Sequence, residues 1–405
     1  MRILVPALCL WTLSCGLDTP AALVVGPLGF TESQLLGLGQ ARRQSLANLA
    51  AFGLAVADSS TAELGAPLVE RWRDDRLLDI LAAELALEAH DVDEAVLEAR
   101  YLTDPEHELT VRHILFFSER WRTDAERAEA RAKAERALEA IRGGADFAET
   151  AARLSEEPGA EGRQGLLTPG RRGAWVDEFW RAASALQPGE ISPVTETRYG
   201  FHILRLEDRQ VVPFVEARSR VAREVARSIE DPRAALDAWM AERAAGLSVS
   251  ERAVDWLAGG GTGPVGDVAT WPGGGRLTAE DYRRWAATQP ASWAGAPSGG
   301  DVPAVRDAVG DLALRRMALA EAERRALSVP EAERSEIARR WDDLAYRWSA
   351  SLGFAAGMSP ASVGEAALQA LGSTAQGVTI VREELDARSP LLRARYPVSI
   401  ADPGA

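Results

Sequence analysis

The chain has 405 residues, 46% apolar and 26% charged, a globular composition that excludes a mainly disordered polymer and leaves room for about two or three domains. A formal charge of −14 sets an acidic surface against phosphate, so no nucleic acid partner is expected. Cysteine occurs only at Cys9 and Cys15, and histidine only at His90, His107, His113 and His202. Past Cys15 there is no thiol for a disulfide, a thiolate metal site or a cysteine nucleophile, and four histidines do not make a polyhistidine centre, so neither metal nor cofactor is expected.

Arg2, the apolar residues 3–13 and the small residues after them read as a targeting segment. That run is shorter than a ~30 Å hydrocarbon core requires, and no later stretch reaches spanning length. Trp11-Thr12-Leu13-Ser14-Cys15-Gly16 resembles a bacterial lipobox, which implies acylation of Cys15, although Thr12 stands where leucine is usual. An ordinary secretory signal with an incidental cysteine is the alternative. Both readings export the protein to the periplasm or cell envelope, with membrane contact only through the lipid anchor.

From about Phe30 to Ala99 the pattern is helical. Thr31-Glu32 caps a first helix carrying Leu35, Leu36 and Leu38, then Leu46, Leu49 and Phe52. A second starts near Pro67 with Leu68, Trp72, Leu77, Leu81 and Leu85 on one stripe, and Asp91 caps a third. Residues 109–117 then form a β-rich run around His113. An alanine-rich charged helix follows over 123–142, and Asp146 caps a short one over 147–154. A Gly/Pro-rich loop holds a brief strand at Leu166-Leu167, Asp177 starts a helix, and two strands run over 191–195 and 201–206. This order predicts an α+β class, a small antiparallel sheet wrapped by helices and flanked by mainly helical lobes. Beyond it, 213–247 reads as one helix or two broken at Pro232, and 259–275 as a linker or hairpin. The remainder is helical and echoes the first lobe: residues 268–282 resemble 24–35, and 305–331 resemble 69–94. The tail after Arg393 is expected to be mobile.

Five motifs in the middle section occur in order: Val111-Arg112-His113-Ile114-Leu115-Phe116, Gly143-Gly144-Ala145-Asp146-Phe147-Ala148, Leu154-Ser155-Glu156-Glu157-Pro158-Gly159, the stretch from Asp177-Glu178-Phe179 to Val194, and Tyr199-Gly200-Phe201-His202-Ile203-Leu204. Together they resemble a parvulin-type (PpiC-like) peptidyl-prolyl cis-trans isomerase domain, in the arrangement of exported SurA/PrsA-like foldase chaperones. The resemblance implies two histidines, His113 and His202, bonded to each other on adjacent strands. It puts Glu157 at the position of the catalytic cysteine or aspartate and Thr197 beside the histidines. It makes Phe179 and Leu167 walls of a proline pocket, with Trp175 or Val176 in place of the usual methionine. Two stretches depart from the family pattern: Gly162-Arg163-Gln164-Gly165 replaces its glycine-aspartate-leucine-glycine, and the loop over 171–176 is longer.

The organisation expected is a signal and lipobox at 1–15, a helical chaperone-like lobe at 16–106, the isomerase domain at 107–209, connecting helices at 210–256, a glycine-rich linker at 257–276 and a C-terminal helical lobe at 277–405. The function expected is an exported isomerase that binds unfolded, proline-containing polypeptide clients. The alternative is a holdase whose parvulin module is catalytically weak: the retained His113, Glu157 and His202 favour the first, the altered loop the second.

Overall fold

The computed structural model describes residues 21–118, 123–261, 263, 265–291, 293 and 301–400; Cys9, Cys15 and the targeting segment lie outside them. Strands β1 (Leu23–Val25) and β2 (Leu28–Phe30) form a hairpin ahead of helices α1 (Gln40–Ala57), α2 (Thr61–Ala89) and α3 (Glu94–Thr103). The expected first helix forms only from Gln40, where α1 buries Leu46, Leu49 and Phe52; residues 31–39 are turns, because Leu35 is buried but Leu36 is 86% exposed and no apolar stripe holds a helix to the core there. Helix α2 starts at Thr61 and carries Pro67 inside it. In the same turn the packing is tight: a Cβ on Gly65 would sit 2.0 Å from the Trp341 ring, whose Nε1–H donates to Thr61 O at 2.9 Å. The cap of α3 is Asp93, which accepts from Val96 N at 3.1 Å, and not Asp91, which lies in the left-handed region.

The middle section follows its sequence closely. Strand β3 (His107–Phe117) leads through α4 (Asp124–Arg142), α5 (Phe147–Leu154), the short α6 (Ala160–Arg163) and α7 (Asp177–Ser184) to β4 (Thr195–Thr197) and β5 (Gly200–Val211). Asp146 caps α5 as expected, and Thr123, read as the first residue of α4, is instead its cap in a capping box with Glu126. The antiparallel sheet has the order β3-β5-β4. Bridges from Leu166 and Gly170 extend it beyond β3, and Ile191 touches it by a single bridge, so the fourth strand begins at Thr195 and not at 191. Ile114, Phe116, Phe201 and Ile203 face α4 and α5. Leu109, Val111, Leu204 and Leu206 face Phe179 and Ala183 of α7.

Helices α8 (Phe214–Ile229) and α9 (Pro232–Ala244) break at Pro232. Then come β6 (Ser248–Val249), α10 (Glu251–Ala258), β7 (Asp267–Trp271), β8 (Gly275–Thr278) and α11 (Ala279–Ala286). The glycine-rich stretch is therefore a hairpin, with β7 central in the order β6-β7-β8. After it run α12 (Val302–Arg324), α13 (Glu331–Leu352), α14 (Pro360–Gly372), α15 (Gln376–Ala387), α16 (Ser389–Arg395) and β9 (Val398–Ile400). The two hairpins share a plan, since β9 pairs with β1 as β6 pairs with β7, but turns follow β2 where α11 follows β8. The tail to residue 400 is ordered, because β1 offers an open edge to β9 and the Tyr396 hydroxyl donates to Asp58 Oδ2 at 2.5 Å.

The two lobes that the sequence sets apart share one core. Leu23, Phe30, Leu49, Phe52 and Leu68 pack with Trp341, Trp348, Val363 and Leu385. No helix among the described residues is long and apolar enough to cross a membrane.

Candidate active site

The site lies on the α7 face of the small sheet. Residues directly opposite in an antiparallel pair share a face. His113 is opposite Leu204 and His202 opposite Leu115, so the two histidines are diagonal neighbours on one face. Their Nδ1 atoms are 3.4 Å apart and both residues are 4% exposed. Beyond them the contacts continue in both directions. His113 Nε2 is 2.8 Å from Glu157 Oε2, and His202 Nε2 is 2.8 Å from Thr197 Oγ1, which also accepts from Tyr199 N at 3.1 Å. The four polar residues carried over from the family motif thus stand in one hydrogen-bonded row.

A carboxylate only accepts, which fixes the direction of the row when both rings are neutral. His113 Nε2–H donates to Glu157, His113 Nδ1 accepts from His202 Nδ1–H, and His202 Nε2 accepts from the Thr197 hydroxyl. Every polar atom is satisfied by one set of protons. Burial, reinforced by the neighbouring His113, pushes the His202 pKa down to about 3 and keeps that ring neutral. Burial alone would raise the Glu157 carboxyl. The hydrogen bond of His113, its charge whenever the ring is protonated, and the charge of Arg163 outweigh it and hold the carboxyl below its ordinary value, so it is ionised at neutral pH.

Phe179 seats the pair. Its ring meets His113 and His202 edge-on at 5.5 and 5.4 Å and is 2% exposed, so it supports the imidazoles from below. Trp175 lies 5.2 Å from it, and Leu167, Trp175 and Val176 complete the apolar side with surface still free. All the sequence-chosen residues among those described therefore gather here. His90 and His107 do not; His90 lies near Glu230, 3.4 Å away.

Two participants escaped the sequence reading. Ser155 Oγ accepts from Leu115 N at 3.1 Å and Glu157 N at 3.4 Å, tying the acidic loop to β3. Arg163 Nη2 donates to Glu157 Oε2 at 2.9 Å. Ser155 lay inside a quoted motif, whereas Arg163 lay in the stretch that departs from the family pattern.

A three-stranded antiparallel sheet edged by helices, with paired histidines, a carboxylate and an apolar wall on one face, carries the features expected of a parvulin-type rotamase domain. Residues 113–208 match the family model of the rotamase, PPIC-type PPIASE domain. The chaperone SurA of Methylobacillus flagellatus is 40% identical over 108 residues, 26% of this chain and 24% of that protein. Foldase protein PrsA 3 of Bacillus anthracis is 28% identical over 153 residues, 38% of this chain and 50% of that one. The solved peptidylprolyl isomerase PrsA of Bacillus cereus is 26% identical, with 38% of this chain and 54% of that chain covered at a TM-score of 0.28. The chain thus spans from about a quarter to just over half of the length of these relatives.

Proposed function

We propose that the protein is an exported foldase that isomerises Xaa-Pro bonds in unfolded or nascent envelope polypeptides. The observation that carries this reading is the row Thr197–His202–His113–Glu157, which ends in an ionised carboxylate beside a partly free apolar wall. An Xaa-Pro bond resists rotation because resonance gives its C–N bond double-bond character, a barrier of roughly 18–20 kcal/mol. No bond must break. Resonance places negative charge on the carbonyl oxygen in the planar state and removes it in the twisted state. A fixed carboxylate near that oxygen therefore destabilises the planar state relative to the twisted one. Leu167, Trp175 and Val176 would take the proline ring and exclude the water that solvates the planar amide. The histidines hold Glu157 ionised and oriented without touching the substrate.

Export and anchoring rest on residues 1–15, with Cys15 as the acylation site; two or more acyl signals are needed for stable attachment. The helical body, larger than the isomerase domain, supports a role in holding clients near the proline pocket, where a tethered chain has a high effective concentration. The test is a protease-free isomerisation assay on short Xaa-Pro peptides. Glu157→Ala in the full chain should lower kcat/KM by about tenfold or more with the fold intact. A folded Glu157→Ala protein with wild-type activity would overturn the assignment.

A further inference from the structure

Glu157 Oε2 receives two donors, His113 Nε2–H from β3 at 2.8 Å and Arg163 Nη2–H at 2.9 Å, while Oε1 has no hydrogen-bond partner among the described residues. The same Nη2 donates to Pro158 O at 3.1 Å, so one guanidinium closes the loop from 157 to 163 upon itself. The backbone is built for this reach. Gly159 and Gln164, on either side of α6, both lie in the left-handed region, a conformation costly for glutamine. It is held there by Arg112, whose Nη1 donates to Gln164 O at 2.6 Å and Arg163 O at 3.2 Å. Arg112 is itself fixed by Glu207 at 3.0 Å. The stretch Gly162-Arg163-Gln164-Gly165 does not weaken the polar site; it delivers a cation to it.

We infer that Arg163 is a positioning residue for Glu157: anchored on the Pro158 carbonyl, it locks Oε2 against His113 and leaves Oε1 as the oxygen that faces the substrate amide. This rests on the proposed isomerase reading. The charged and titratable groups around Glu157 are His113 from β3, with His202 behind it, and Arg163 from the loop. Glu156 turns away to Phe117 N at 2.7 Å and to Lys133 of α4. Removal of the Arg163 cation therefore leaves His113 as the sole donor and raises the Glu157 pKa.

The test measures kcat/KM of the full chain on a short Xaa-Pro peptide from pH 4 to 8, together with the titration of the Glu157 carboxyl by carbon NMR. Arg163→Gln should lower kcat/KM ~10-fold at neutral pH, as a displaced catalytic group does. It should also move the acid limb and the carboxyl titration upward together. Arg163→Lys retains the charge but not the second donor direction, so it should restore the acid limb and only part of the rate. Arg142→Gln, an equal charge change at the exposed end of α4, should change neither. Unaltered rate and titration in folded Arg163→Gln, or an equal effect of Arg142→Gln, would overturn the inference. If the wild-type protein has no isomerase activity, the proposed function fails; the carboxyl titration in Arg163→Gln then still decides whether Arg163 sets the state of Glu157.

Discussion

Burial strips His202 of its basicity, and that has a sign. Its pKa falls from 6.5 unfolded to about 3 in the native domain. Between those values the unfolded chain takes up a proton that the native ring refuses, so native stability falls as the pH drops below 6.5 and stops falling below about 3. Above 6.5 the group contributes no pH dependence. From pH 7.5 to 5.0 this one ring should cost the domain about 2 kcal/mol. Chemical denaturation at the two pH values should show a loss larger by that amount in the wild type than in His202→Gln. Ring signals of His202 should not titrate between pH 8 and 4, and a midpoint near 6.5 would show that the ring is not held in the buried row. Glu157 behaves in the opposite sense to a buried, unpaired acid. Its lowered pKa adds stability above its unfolded value and loses it as the pH falls through the native one.

At the scale of elements, the site depends on how closely the loop after α6 docks on β3. His113 N donates to Gly165 O at 2.8 Å, and a Cβ on Gly165 would stand 2.3 Å from His113 O. Gly165 also lies at φ +73, where an L side chain is strained. Gly165→Ala should therefore push β3 and the loop apart, cost about 2–4 kcal/mol of domain stability and reduce isomerisation per folded molecule. Gly162→Ala, which meets nothing within 4 Å, should do neither; equal behaviour of the two variants in thermal unfolding and peptide turnover would refute the docking argument. These elements were legible in the sequence because their signals are local: an alanine-rich charged run marks α4, Asp146 caps α5, and His113 and His202 sit inside β-rich runs. What local patterns could not supply was the partner of each group. Arg163 read as a departure because its value lies in Glu157, six residues back, reached only once the loop is folded.

At the scale of the molecule, the tertiary pairing was the least legible part. Leucine- and alanine-rich helices at 40–89 and 331–387 each read as self-contained lobes, since an apolar stripe shows that a face is buried and not what buries it. The structure joins them, and one junction is charged. Glu333 of α13 accepts from Arg223 of α8 at 2.7 Å and from Arg76 of α2. Arg223 is buried, with its Nη1 otherwise unpartnered, and burial lowers its pKa against the pull of Glu333. Removing one member of such a group leaves an uncompensated buried charge, which is costlier than the pair is favourable. Glu333→Ala should thus destabilise the helical body by about 3 kcal/mol, and Glu333→Gln, which retains an acceptor, by less. The isomerase domain has its own two cores around β3 and β5. It meets the body through contacts such as that of Arg171 with Glu216 of α8 at 2.6 Å. Turnover of short peptides should therefore stay at the wild-type level in Glu333→Ala at temperatures where the body remains folded, while the unfolding temperature of the body drops. A parallel loss of peptide turnover in the folded variant would mean that the charged junction reaches the proline site and that body and domain act as one cooperative unit.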